Sequence, residues 1–78
     1  MRYKIMLRTV QDACEFVKRM SQYPFDIDLY YGHLVLDAKS IMGVLAMGLN
    51  KQIELYAHAE RTNVFEHEIG QYLSLIHI

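Results

Sequence analysis

Lys39-Ser40-Ile41-Met42-Gly43-Val44-Leu45-Ala46-Met47-Gly48-Leu49 is apolar without alternation. It opens on a serine whose hydroxyl can cap a helix and closes near Gly48 and Asn50, where a left-handed backbone is least costly. The pattern predicts a short helix. Gly43 in its interior costs up to about 1 kcal/mol relative to alanine, so something besides local helix stability shapes the segment. On both sides the period changes to two. Before it, Phe25, Ile27 and Leu29 alternate with Asp26, Asp28 and Tyr30. After Tyr31-Gly32, Leu34 and Leu36 alternate with His33, Val35 and Asp37, which makes a hairpin with Gly32 supplying the turn. Beyond it, Ile53, Leu55 and Ala57 alternate with Gln52, Glu54, Tyr56 and His58 to give another strand.

Farther out, Tyr3, Ile5 and Leu7 alternate with Arg2, Lys4, Met6 and Arg8, a half-buried first strand. From Val10 the residues Ala13, Phe16, Val17 and Met20 fall on one side of a helix, with Asp12, Glu15, Lys18 and Arg19 on the other. Thr9 is placed to cap that helix, and Ser21-Gln22-Tyr23-Pro24 ends it. Asn63 and Glu66 have capping-box spacing, and Phe65, Ile69, Tyr72, Leu73 and Ile76 trace one face of a last helix. The order is βαββαβα. It implies an α+β open-faced sandwich, one domain over residues 1–78, in which three helices cover one face of a four-stranded antiparallel sheet. Ala13, Phe16, Val17, Ile27, Leu29, Leu36, Ile53, Leu55, Ile69 and Leu73 are the expected core. The open face should carry Lys4, Met6, Asp26, Asp28, Tyr30, Val35, Glu54, Tyr56 and His58, tyrosine-rich for a solvated surface.

The 78 residues carry 8 Lys and Arg against 9 Asp and Glu, a formal net charge of −1. That balance leaves no basic excess to track a phosphate backbone, so direct nucleic-acid binding is not expected. A domain this short buries only about 60% of its unfolded surface and has no room for a deep walled active site, which argues against an enzyme. A single cysteine builds no intrachain disulfide, and the N-terminal stretch lacks the pattern of a secretory signal, so a cytoplasmic location is expected. The longest apolar run, Ile41 to Leu49, falls short of the roughly 20 residues needed to cross a bilayer. No metal or cofactor motif is present: His33, His58, His67 and His77 form no ligand spacing, and Cys14 is expected to be a small packing residue.

With these elements in place, Lys39-Ser40-Ile41-Met42-Gly43-Val44-Leu45-Ala46-Met47-Gly48-Leu49 resembles the regulatory-serine segment of HPr, the histidine-containing phosphocarrier family of the bacterial phosphoenolpyruvate-dependent sugar phosphotransferase system. The βαββαβα order is also that family's. Setting Ser40 on the regulatory serine brings Ala13, Phe16 and Val17 onto the family's first-helix pattern without a gap, and Gly32 onto its hairpin glycine. The resemblance covers essentially the whole chain. The same register exposes a departure. Phosphate-carrying members have Gly-Leu-His-Ala-Arg-Pro-Ala at the first strand-helix junction, and here the seven positions read Leu7-Arg8-Thr9-Val10-Gln11-Asp12-Ala13. Thr9 stands for the phosphoacceptor histidine, Gln11 for its partner arginine and Asp12 for the helix-starting proline.

The resemblance therefore implies a member unable to carry phosphohistidine, similar to the catabolite-repression paralogues of HPr. It would act as a regulatory adaptor phosphorylated at Ser40 by an HPr kinase/phosphorylase, and dock on a transcriptional regulator through Lys39, Ile41, Met42 and Met47. Two other readings stay open. One is phosphocarrier-type activity through another residue; the other is a structural or interaction module without phosphorylation, including a homodimer through the tyrosine-rich sheet face.

Overall fold

A computed structural model describes residues 1–60 and 62–73. The elements are β1 (Arg2–Met6), α1 (Val10–Met20), β2 (Ile27–Tyr31), β3 (Leu34–Asp37), α2 (Ile41–Met47), β4 (Gln52–Ala57) and α3 (Asn63–Ile69), the last tightening into a 3₁₀ turn at Gly70–Tyr72. The four strands form one antiparallel sheet in the order β1-β4-β2-β3. Ile5 faces Ile53 and Leu29 faces Leu55, so the inward residues of three strands meet across the sheet.

Each expected element is present, and local chemistry explains most of the boundaries. Thr9 caps α1 by accepting from the Asp12 amide at 3.0 Å, while Asp12 Oδ2 accepts from the Arg8 amide at 3.3 Å, a reciprocal box at the helix start. Gly32 takes φ 58° at the first central position of the two-residue hairpin loop, which a side-chain-bearing residue would resist. Gly48 and Asn50, at φ 101° and 59°, reverse the chain after α2.

The core contains Ala13, Phe16, Val17, Ile27, Leu29, Ile53, Leu55 and Ile69 as expected, joined by Ile5, Leu7, Met20, Ala38, Val44, Met47, Ala57, Phe65 and Tyr72. Leu36 and Leu73 pack against it but stay half-buried. The nine residues assigned to the open face are all outside the core.

Four expectations are corrected. The α3 cap is Thr62, whose Oγ1 accepts from the Phe65 amide at 3.2 Å, and not Asn63, which lies inside the helix. The last helix also does not run on as one α-helix, since Gly70 begins the tighter turn; Ile76 and His77 lie outside the described residues. Phe25 precedes β2 and joins an aromatic cluster with Tyr23 and Phe65, ring centroids 5.2 and 5.7 Å away. Cys14 is exposed, because it points away from the face of α1 that buries Ala13, Phe16 and Val17.

One polar cluster at the α1–α3 boundary has no signature in the linear pattern. Tyr23 donates its hydroxyl proton to Glu68 Oε1, and Arg19 reaches Glu68 Oε2 at 3.3 Å and Glu15 at 3.5 Å. Burial, reinforced by the hydrogen bond to Glu68 and that carboxylate's charge, pushes the Tyr23 phenol up to about 12. A phenol whose folded pKa lies above its unfolded value stabilises the fold fully below about pH 10 and loses that contribution as pH rises toward 12. Thermal melts should therefore fall over that window in the wild type. Tyr23→Phe should start slightly less stable and show a shallower alkaline decline.

Candidate functional site

The stretch around Ser40 is set by the end of β3 and the start of α2. Ala38, fully buried, donates its amide to the Ile27 carbonyl at 2.9 Å and pins the turn to β2. Asp37 then accepts twice, through Oδ1 from the Lys39 amide at 2.9 Å and through its carbonyl from the Ser40 amide at 3.0 Å. This turn holds Ser40 in an extended conformation, φ −106° and ψ 108°, as the N-cap of α2. Its Oγ accepts from the Gly43 amide at 3.3 Å, and the side chain is exposed. No acidic side chain lies in the first turn of α2; the nearest carboxylate in the turn, that of Asp37, is held on the Lys39 amide before Ser40.

Nothing in the packing around Gly43 explains the glycine. A Cβ there would lie 3.5 Å from Ser40 Oγ and 3.7 Å from Leu36, which is ordinary contact. Space alone therefore does not require glycine at this position.

The apolar side chains of α2 divide between two faces. Met42 is 78% exposed and Leu45 is exposed beside it, whereas Val44 and Met47 are buried and Ile41 is half-buried against the core. Met47, expected in the surface patch with Ile41 and Met42, is only 1% exposed and is withdrawn from that patch. The helical period carried the signal: Met47 follows Val44 by three residues on the inner side, and Leu45 follows Met42 by three on the outer. Lys39 is half-buried, and its ammonium donates to the Tyr23 carbonyl at 2.7 Å. The surface around Ser40 is thus Met42 and Leu45, with the edge of Ile41.

The first strand-helix junction forms a second cluster. Thr9 and Asp12 are brought together by the capping box, and Gln11 is exposed on the first turn of α1. Arg8 is also exposed, with only its backbone amide engaged by Asp12. The Thr9 hydroxyl already serves as an acceptor, and a carboxylate occupies the helix end where free amides would otherwise favour an incoming anion. No hydrogen bond or ion pair links this cluster to the one at Ser40 among the described residues.

The histidines stay apart. His58 pairs through Nε2 with Asp28 at 2.8 Å and lies against the Tyr56 ring, while His33 and His67 are exposed. No group of three metal-ligating side chains occurs among the described residues. No helix among them is long and apolar enough to cross a membrane.

A family model described as the PTS HPr component phosphorylation site matches residues 10–72, most of the chain. The chain belongs to the HPr family. HPr proteins are phosphocarriers of the phosphotransferase system rather than catalysts in their own right, and they act by contacting other proteins. The match begins at Val10, immediately after Thr9.

Solved HPr structures share the fold. HPr-C-His from Thermoanaerobacter tengcongensis superposes with a TM-score of 0.73 at 19% identity, covering 91% of this chain and 88% of its own. The phosphocarrier protein HPr from Bacillus anthracis strain Ames gives 0.72 at 17% identity over 95% and 96%. Crh, the Bacillus subtilis catabolite repression containing protein, described as an intertwined swapped dimer, gives 0.66 at 21% identity over 87% and 80%. No curated protein matches the chain by sequence.

Proposed function

We propose that this HPr-family chain is a bacterial regulatory protein that does not carry phosphohistidine and is controlled by phosphorylation at Ser40. The observation that carries this reading is the exposed Ser40 hydroxyl at the start of α2, beside the outward Met42 and Leu45 and with no carboxylate in the first turn. A phosphate on Oγ adds about −1.5 to −2 charges and three strong acceptors next to an apolar surface. Charge and grease side by side suit recognition by a protein that reads both, such as a transcriptional regulator.

The capping box of Thr9 and Asp12, with the neutral Gln11 between them, supports the other half of the reading: this junction has no nitrogen nucleophile, and its one cation, Arg8, precedes Thr9 instead of standing at Gln11 where a carrier site has its arginine. The partners are then an HPr kinase/phosphorylase and the regulator, and the setting is cytoplasmic. The reading is tested by offering the protein to HPr kinase with ATP. Wild type should take up one phosphate and Ser40→Ala none, because the alanine removes the hydroxyl; it also removes the α2 cap bond to the Gly43 amide, so Ser40→Asn, which keeps a capping side chain without a hydroxyl, should likewise stay unlabelled.

A further inference from the structure

The two edges of the sheet are built differently. β1 carries Arg2 and Lys4, and Leu73 bridges to Ile5 along part of its length. β3 has no lysine, arginine or proline between Leu34 and Asp37, and its Leu34 and Val35 are 49% and 55% exposed. Natural sheets usually guard an open edge with brevity, charge, proline or a bulge; β3 is short and carries one charge, Asp37 at its end, which leaves its apolar Leu34–Leu36 stretch as a template for another strand of limited length.

The ladder fixes which groups that edge offers. Tyr31 faces Leu34 across the two-residue turn, and the Ala38 amide donates to Ile27 in the same register. Leu34, Leu36 and Ala38 therefore turn their backbone groups toward β2, and Val35 and Asp37 turn theirs outward. The Asp37 carbonyl is taken by the Ser40 amide. What remains on the edge is the Val35 N–H and C=O, the Asp37 N–H and the His33 C=O.

We propose that β3 is the seam of a homodimer, pairing antiparallel with β3 of a second copy about a two-fold axis at Val35, so that the two sheets join into one. In this register Val35 exchanges both backbone bonds with Val35 of the copy, and each Asp37 N–H donates to a His33 carbonyl across the seam. Side chains agree with the backbone. Val35 meets its counterpart on the open face, Leu34 meets Leu36 on the helix side, and His33 stands opposite Asp37 at both ends. Sliding the seam toward Asp37 sets that carboxylate opposite Val35 or opposite its own copy, which costs stability.

The interface is short, so the dimer should be weak and reversible, appearing in sedimentation equilibrium at roughly several hundred micromolar and dissociating near about 10 μM. Val35→Pro removes an outward N–H without touching the bonds to β2, and should give a monomer at every concentration with an unchanged melt. His33→Asp sets a carboxylate opposite Asp37 at each end of the seam and should weaken the dimer about tenfold, whereas His33→Lys should preserve it. If Val35→Pro does not fold, Val35→Lys makes the same test by facing two cations across the axis. A wild-type chain that stays monomeric at about 1 mM overturns the proposal, as does a dimer that survives both the Val35 variants and His33→Asp.

Discussion

Phe16→Ala should leave this domain barely folded. Phe16 is fully buried where α1 meets the sheet, and its ring stands edge-on to Tyr72, centroids 5.3 Å apart at 84°. Truncation removes the ring's transfer energy and leaves a cavity beside Tyr72, a cost of about 3–5 kcal/mol. Domains of this size hold total stabilities near the lower end of about 5–15 kcal/mol. Chemical denaturation followed by circular dichroism should show a transition shifted to much lower denaturant or lost. A cooperative, nearly unshifted transition would mean that the packing of α1 on the sheet is wrong.

An equally large effect is expected in phosphotransfer. Given phosphoenolpyruvate and the first enzyme of the phosphotransferase system, this chain should acquire no acid-labile, base-stable phosphate, where a phosphate-carrying HPr would be fully labelled. Near-equilibrium transfer between proteins needs a phosphoramidate on a nitrogen that titrates near neutrality, as histidine does with an ordinary pKa of about 6.5. Thr9 offers a hydroxyl already accepting from the Asp12 amide, and its phosphate ester would be too stable to pass on. Asp12 adds a negative charge at the same helix end. Radiolabel that survives base and disappears in acid would overturn this reasoning and restore carrier activity through another residue.

Much of the fold was legible because the pattern and the burial share a cause. The alternation of Ile53, Leu55 and Ala57 is the pleat of β4, and the spacing of Ala13, Phe16, Val17 and Met20 is the buried stripe of α1. The caps at Thr9 and Ser40 could be read because a hydroxyl three residues before a free amide is a local device. The surface around Ser40 was only partly legible. Met47 looked like its neighbours in composition, and only the helical angle separates it from Met42. Lys39 reaching the Tyr23 carbonyl, and Tyr23 with Arg19 meeting on Glu68, join residues far apart in the chain, and no short-range pattern encodes such contacts. Thr62 and Asn63 can both cap, and the helix starts they imply differ by one residue, which spacing alone does not separate.

The most direct measurement is intact-mass analysis, with fragment-level site assignment, of the protein after incubation with HPr kinase and ATP. One phosphate on Ser40 is expected, with Thr9 unmodified. The modified protein should melt no lower than the unmodified one, since a phosphate at the start of a helix gains about 0.3–1 kcal/mol while the cap bond it replaces is of similar size. No added phosphate, or a phosphate placed anywhere but Ser40, would contradict the regulatory reading.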